Sequence, residues 1–166
     1  MKTVMKILLA IIIVVAIVLG IYCVLPETSK MFIKGNIQYR TDDTAKEMID
    51  KVKANEIKYT EVADNGTTKT VETGVTYGDA LEKAGKSTAW YYEEAANGNR
   101  TITYYGSKVS LDLAKYGEEG VYVDKTLKVV FYFPADGSGS TVTLYYGDST
   151  LDGTARTAAL QALSAK

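Results

Sequence analysis

A chain of 166 residues with a formal charge of −1 has room for one ordinary domain and lacks the basic excess that phosphate neutralisation demands of a nucleic-acid binder. The absence of histidine and the presence of a single cysteine, Cys23, exclude an internal disulfide, His/Cys zinc sites and every His-dependent catalytic triad. The apolar fraction of 46% is unevenly placed: the N-terminal 25 residues are almost wholly aliphatic, and the remainder is rich in Thr, Tyr, Gly and charge.

Ile7 to Leu25 carries no charge. As a helix rising ~1.5 Å per residue it spans about 28 Å, close to a hydrocarbon core of ~30 Å. Lys2 and Lys6 precede it, Tyr22 sits near its far end, and Pro26 stops it. The segment is expected to be a transmembrane signal anchor, covering residues 1–25. The competing reading is a cleaved signal peptide, with Val18 and Gly20 as the small residues of a site after Gly20. A lipoprotein site at Cys23 fails because Tyr22 is too large for the preceding position. Lys30, Lys34 and Arg40 roughly balance the charges before the helix, so the charge rule alone leaves orientation open. Lys6 abuts the apolar run with no acid beside it, whereas Glu27 offsets the far side. This favours a short tail inside and the domain outside.

Residues 26–42 read as a polar stalk, and residues 43–166 as an extracytoplasmic α+β domain. Thr44 and Glu47 form a capping-box pattern before Ala45, Met48, Ile49 and Val52, which recur at helical spacing up to Lys53. Ile57 to Ala63 and Thr68 to Thr73 flank Asn65-Gly66, a pair suited to a type I′ hairpin turn. Thr76 is expected to cap a short helix ending at Gly85. Thr88 to Ala95 and Arg100 to Gly106 form a second hairpin across Asn97-Gly98. A two-residue turn there sets Trp90 opposite Tyr105, Tyr91 opposite Tyr104 and Tyr92 opposite Thr103.

Val109 to Leu113 reads as a further short strand and Lys115 to Lys125 as a surface loop. Leu127 to Phe133 alternates cleanly and pairs with Thr141 to Tyr146; a Gly137-Ser138 turn faces Phe131 towards Leu144 and Phe133 towards Val142. A final helix begins at Asp152 or Thr154, with Ala155, Ala158, Ala159, Leu160 and Leu163 on its apolar side. The whole is an N-terminal transmembrane helix followed by an antiparallel sheet of hairpins with two or three short helices. Thr101-Ile-Thr-Tyr-Tyr-Gly and Thr141-Val-Thr-Leu-Tyr-Tyr-Gly echo one another, but no matching helices precede them, so they read as two strands of similar composition.

The run Val75-Thr76-Tyr77-Gly78-Asp79-Ala80-Leu81, then Trp90-Tyr91-Tyr92, Ile102-Thr103-Tyr104-Tyr105-Gly106, the Phe131/Phe133 strand and the Ala-Leu-rich last helix are similar to an uncharacterised group of small bacterial extracytoplasmic domains. Members are often tethered by one N-terminal hydrophobic segment, and the resemblance covers roughly Lys69 to the C-terminus. More loosely, the order of helix, Trp-bearing hairpin and strands resembles β-lactamase-inhibitor-like and outer-membrane small-lipoprotein folds, whose members bind other proteins. The chain departs from small lipoproteins in lacking a lipidated Cys after a small residue. The resemblance brings no catalytic residue with it.

Thirteen Tyr against three Phe points to surfaces where a large ring with a polar tip is useful. Adjacent Tyr in a strand face opposite ways, so Tyr91/Tyr92, Tyr104/Tyr105 and Tyr145/Tyr146 each place one ring in the core and one on the other sheet face. With the two-residue turn, Trp90, Tyr92 and Tyr105 share a face, and Tyr91, Ile102 and Tyr104 point inward. Trp90, Tyr92 and Tyr105 are therefore the candidate binding residues, Trp90 being placed either there or under an edge helix. Glu93 and Glu94 face opposite ways and cannot flank one glycosidic bond. Asp136, Asp148 and Asp152 lack the alternating series of a calcium loop. The sequons at Asn65 and Asn99 fall where turns need polar residues anyway.

No catalytic residue, cofactor or metal ligand is expected. The expectation is a single-pass cell-membrane protein whose outer domain is a binding or interaction module. Its partners are the membrane, through residues 7–25, and another envelope protein or a wall polymer, with no role for nucleic acid. A surface-filament subunit is the alternative, and an enzyme the more remote one.

Overall fold

The computed structural model describes residues 2–62, 66–120 and 122–165. The chain is α+β: an apolar N-terminal helix, four further helices, and antiparallel strands in two sheets. Helix α1 (Lys2–Val24) is uniformly aliphatic, and its Val4–Val24 stretch is long and apolar enough to cross a membrane, with none of it buried against the rest of the protein. That is what a transmembrane helix or signal anchor presents to lipid; a signal sequence presents the same.

The segment expected as a stalk is instead helix α2 (Glu27–Thr41), and it packs on the domain. Its apolar positions Met31, Phe32, Gly35 and Tyr39 recur at helical spacing, so a polar segment overall still has one face to bury. Helix α3 (Asp43–Lys53) follows after a single extended residue, Asp42, whose carboxylate accepts a hydrogen bond from the Ala45 amide at 2.9 Å. The cap is therefore Asp42, two residues before the capping box expected at Thr44; Glu47 instead pairs with Lys51.

Strands β1 (Glu56–Val62) and β2 (Thr68–Thr76) form a separate two-stranded sheet. Val62 pairs with Thr68, one position away from the register of an Asn65-Gly66 two-residue turn; Asn65 itself lies outside the described residues. Thr76 caps helix α4 (Tyr77–Ala84) through the Asp79 amide, as expected.

Five strands make the main sheet in the order β3 (Ser87–Glu94), β4 (Arg100–Val109), β5 (Lys125–Phe133), β6 (Thr141–Tyr146) and β7 (Ser149–Leu151). Residues 110–113 continue β4 as irregular chain rather than a strand of their own, with Leu111 and Leu113 buried, before a 3-10 turn at Ala114–Tyr116. Helix α5 (Gly153–Ser164) closes the chain, burying Ala158, Ala159, Leu160, Ala162 and Leu163. Helices α3, α4 and α5 and the small sheet share one core with the inner face of the main sheet, centred on Tyr104, Leu81, Ile49, Leu127, Leu144 and Phe131.

The hairpin registers differ from expectation in an instructive way. Between β3 and β4 the loop is a three-residue one: the Gly98 amide donates to Ala95 O and the Ala95 amide to Asn99 O, with Gly98 at φ 81°. This is a type I turn followed by a left-handed glycine, one residue longer than the I′ turn. Trp90 consequently pairs with Tyr104, Tyr91 with Thr103 and Tyr92 with Ile102. Between β5 and β6 the register moves by two: Phe131 meets Val142, and Val129 meets Leu144. A shift of one exchanges the face partners, whereas a shift of two preserves them.

Candidate functional site

The single-residue slip in the β3–β4 hairpin redistributes the expected binding residues. Trp90 and Tyr92 face the core with Ile102 and Tyr104, at 5% and 7% exposure, and cannot serve as a recognition surface. Trp90 lies 5.1 Å from the Tyr104 ring and is stacked on Phe131 at 6.1 Å, and the Lys53 ammonium sits 5.5 Å from its ring. Its buried indole Nε1 has no hydrogen-bond partner among the described residues. The Tyr92 hydroxyl donates to Glu94 at 2.9 Å; burial, then this bond, raises its phenol pKa. Tyr105 lies on the opposite face, partly exposed, with Phe32 of α2 at 6.5 Å, and burial raises its phenol pKa. The three candidates are thus divided between two faces.

What the structure assembles instead is the outer face of the main sheet. Three cross-strand rows run over it: Tyr105–Lys128–Tyr145–Thr150, Tyr91–Thr103–Val130–Thr143 and Glu93–Thr101–Tyr132–Thr141. Alternation puts them there, since Leu127, Val129, Phe131 and Leu144 occupy the intervening inward positions. Lys128, Val130, Tyr132, Thr143 and Tyr145 are partly exposed, and Thr141 and Thr150 are exposed. The Lys128 ammonium lies 4.2 Å from the Tyr145 ring centroid. The Tyr105, Tyr132 and Tyr145 hydroxyls have no hydrogen-bond partner among the described residues.

Helix α2 bounds this face on one side. Its Gln38 side chain meets the free edge of β3 as a neighbouring strand would: Nε2 donates to Tyr92 O and Oε1 accepts from the Tyr92 amide, both at 2.9 Å. Gly35 permits the approach, because a Cβ there would stand 2.6 Å from the Trp90 carbonyl oxygen. The N-terminal half of α2 leans over the first row and encloses a cleft of about 500 Å³, lined by Glu27, Thr28 and Met31 on one side and Tyr105, Lys128 and Tyr145 on the other. Lys34 lies over the Tyr91 ring at 4.3 Å.

The cleft offers acids, a single lysine, hydroxyls and aromatic faces, a set suited to contact and hydrogen bonding. Among the described residues no group of three metal-ligating side chains comes together. Glu93 and Glu94 project from opposite faces of β3, as the alternation requires.

Sequence reasoning missed two features. Tyr132, Lys128 and Tyr145 were accessible to it, since placing Phe131 inward sends them outward. Gly35 and Gln38 carried a weaker signal, the apolar spacing of Met31, Phe32, Gly35 and Tyr39 hidden among polar neighbours. An α+β fold with an apolar N-terminal helix and one open tyrosine–threonine sheet face defines the class of molecule. Comparison of the chain with protein-family models, curated proteins and solved structures finds no match.

Proposed function

We propose that this protein is a single-pass membrane protein whose extracytoplasmic domain is a binding module, and that its open tyrosine–threonine face engages another protein of the cell envelope. The observation that carries the reading is the contrast in hydroxyls: tyrosines of the inner face are tied to protein acceptors, while Tyr105 and Tyr145 beside the cleft, and Tyr132 further along the same face, have none among the described residues. Rigid strands present these rings at low entropic cost, which favours protein recognition. No catalytic role is assigned to them. The loose resemblance to folds whose members bind other proteins points the same way.

The test is in-cell photocrosslinking with a photoreactive residue at Tyr132, set against the same residue at Glu119 on the exposed loop. One discrete protein adduct specific to position 132 is the expected result. A ladder of wall polymer would transfer the role to a polysaccharide ligand, and equal adducts at both positions would remove the face from consideration. Protease added to intact, right-side-out cells should degrade the domain beyond Thr41; complete protection would reverse the orientation, and a mature N-terminus at Ile21 would make the protein secreted.

A further inference from the structure

The binding face uses one side of α2, and the opposite side carries a different chemistry. Half a turn away from Gly35, Ile33 and Ile37 are 40% and 57% exposed, and Lys30, Lys34 and Arg40 flank them. An exposed isoleucine pair edged by cations offers apolar contact and positive charge together, the two attractions a membrane interface supplies. Its position in the chain points to the same place. Only Leu25 and Pro26 separate α2 from α1, and two residues reach at most about 7 Å, so the start of α2 cannot leave the headgroup layer once α1 spans the bilayer.

The junction is also internally tied. The Lys30 ammonium donates to Cys23 O at 3.0 Å, meeting a carbonyl at the C-terminus of α1, and lies 5.8 Å from the Tyr22 ring. Between the two helices opens a groove of about 600 Å³. Val18, Leu19 and Tyr22 form one wall, and Ile33, Lys34 and Ile37 the other. Asp42, at the far end of the groove, is engaged in capping α3. Glu27 lines the cleft on the sheet side.

We infer that this groove holds a phospholipid of the outer leaflet, its apolar part against Leu19, Ile33 and Ile37 and an acidic headgroup beside Lys34, with Arg40 outside the groove further along α2, so that α2 lies along the membrane surface. The inference rests on the anchor reading of α1. It gives α2 a double role, covering the edge of β3 on one side and fixing the sheet's outer face relative to the bilayer on the other. The attraction of cations to acidic lipid contributes on the scale of the surface potential and weakens with salt.

The test uses the full chain with Cys23→Ser in lipid nanodiscs of phosphatidylcholine, with and without phosphatidylglycerol. Nitroxide labels are placed one at a time at Val14→Cys, Ile37→Cys and Thr60→Cys. Collision with oxygen, which partitions into lipid, is compared with collision with a water-soluble nickel chelate. Position 37 should resemble position 14, several-fold less open to nickel than position 60, and more so with phosphatidylglycerol; Lys34→Glu with Arg40→Glu should abolish that lipid dependence. Lipid exposure at 14 with full nickel access at 37 would overturn the inference while leaving the anchor intact. Screening of position 37 from both reagents would give the groove to a protein, a second copy included, and also overturn it. Nickel access at position 14 would remove the anchor and the inference together.

Discussion

The two faces of the main sheet are built from the same residue types and reach opposite solutions. On the inner face the Tyr104 hydroxyl donates to Leu81 O and the Tyr146 hydroxyl to Val109 O, each at 2.6 Å. Leu81 lies in the last turn of α4, where helical carbonyls have no intrahelical partner, so the buried phenol and the orphan acceptor satisfy each other. Burial lifts the Tyr104 phenol pKa well above its ordinary value. On the outer face the Tyr132 and Tyr145 hydroxyls have no hydrogen-bond partner among the described residues, and the Tyr145 ring meets the Lys128 ammonium. A tyrosine is therefore a core residue or an outer-face residue according to strand parity alone, and the register of each hairpin decides which.

The sharpest way to break this comparison is to cut into the inner face. Phe131 is 3% exposed, edge-on to Tyr77 at 4.8 Å and stacked with Trp90. Phe131→Ala should cost about 3–5 kcal/mol, the usual range for removing a core aromatic. Against a total stability of ~5–15 kcal/mol the variant should lose much of its folded population, visible as a large fall in the urea midpoint. A midpoint equal to the parent's would mean that the strand presents its other face to the core.

How far the fold was legible follows from the same parity. The α+β class, the apolar N-terminal helix, the cap at Thr76 and the core placement of Phe131 and Leu144, with Phe133 and Val142 partly buried beside them, were readable, because hydrophobic alternation and capping chemistry are local. The β5–β6 error of two residues did no harm to the face assignment. The β3–β4 error of one residue changed which of Tyr104 and Tyr105 shares a face with Trp90, and it arose because Asn97-Gly98 suits a two-residue turn as well as the last two positions of a three-residue one. Strand β7 was missed altogether: its three residues carry no periodicity, and its signal is Gly147 at φ 62° beginning the tight turn after Tyr146. Helix α2 was missed because its apolar positions Met31, Phe32, Gly35 and Tyr39 are dispersed among polar neighbours, and because the strand edge that Gln38 covers is a need written in β3.

That edge supplies a smaller and more selective test. Gln38→Ala removes both hydrogen bonds to Tyr92 and leaves its amide and carbonyl at a strand edge, at a cost of about 1–3 kcal/mol. Hydrogen exchange at the Tyr92 amide should quicken while that at the β4–β5 pair of Ile102 and Phe131 is little changed. Gly35→Ala should give the same pattern by a different route, its methyl forcing α2 away from the Trp90 carbonyl. Uniform acceleration across the sheet would show that α2 is part of the cooperative core and not a cover on it.

The smallest effect on folding is expected where the effect on binding is largest. Tyr132 stands on the outer face between Thr101 and Thr141, its hydroxyl without a hydrogen-bond partner among the described residues, so Tyr132→Ala gives up ring contact with its strand neighbours and exposes little core. Cross-strand pairs of this kind contribute roughly 0.2–1 kcal/mol, and the thermal midpoint should shift by only a few degrees. If the outer face is the contact surface, the same substitution removes an aromatic anchor worth about 2 kcal/mol or more, a loss of roughly 30-fold in partner capture. Tyr145→Ala should behave alike, with the additional release of Lys128 from the ring it covers. The inner-face variant loses capture only in proportion to the protein that unfolds, whereas these lose capture while folded. Outer-face variants that are folded and capture the partner as well as the parent would return Tyr132 and Tyr145 to the role of strand formers, chosen for the β-sheet and not for what it meets.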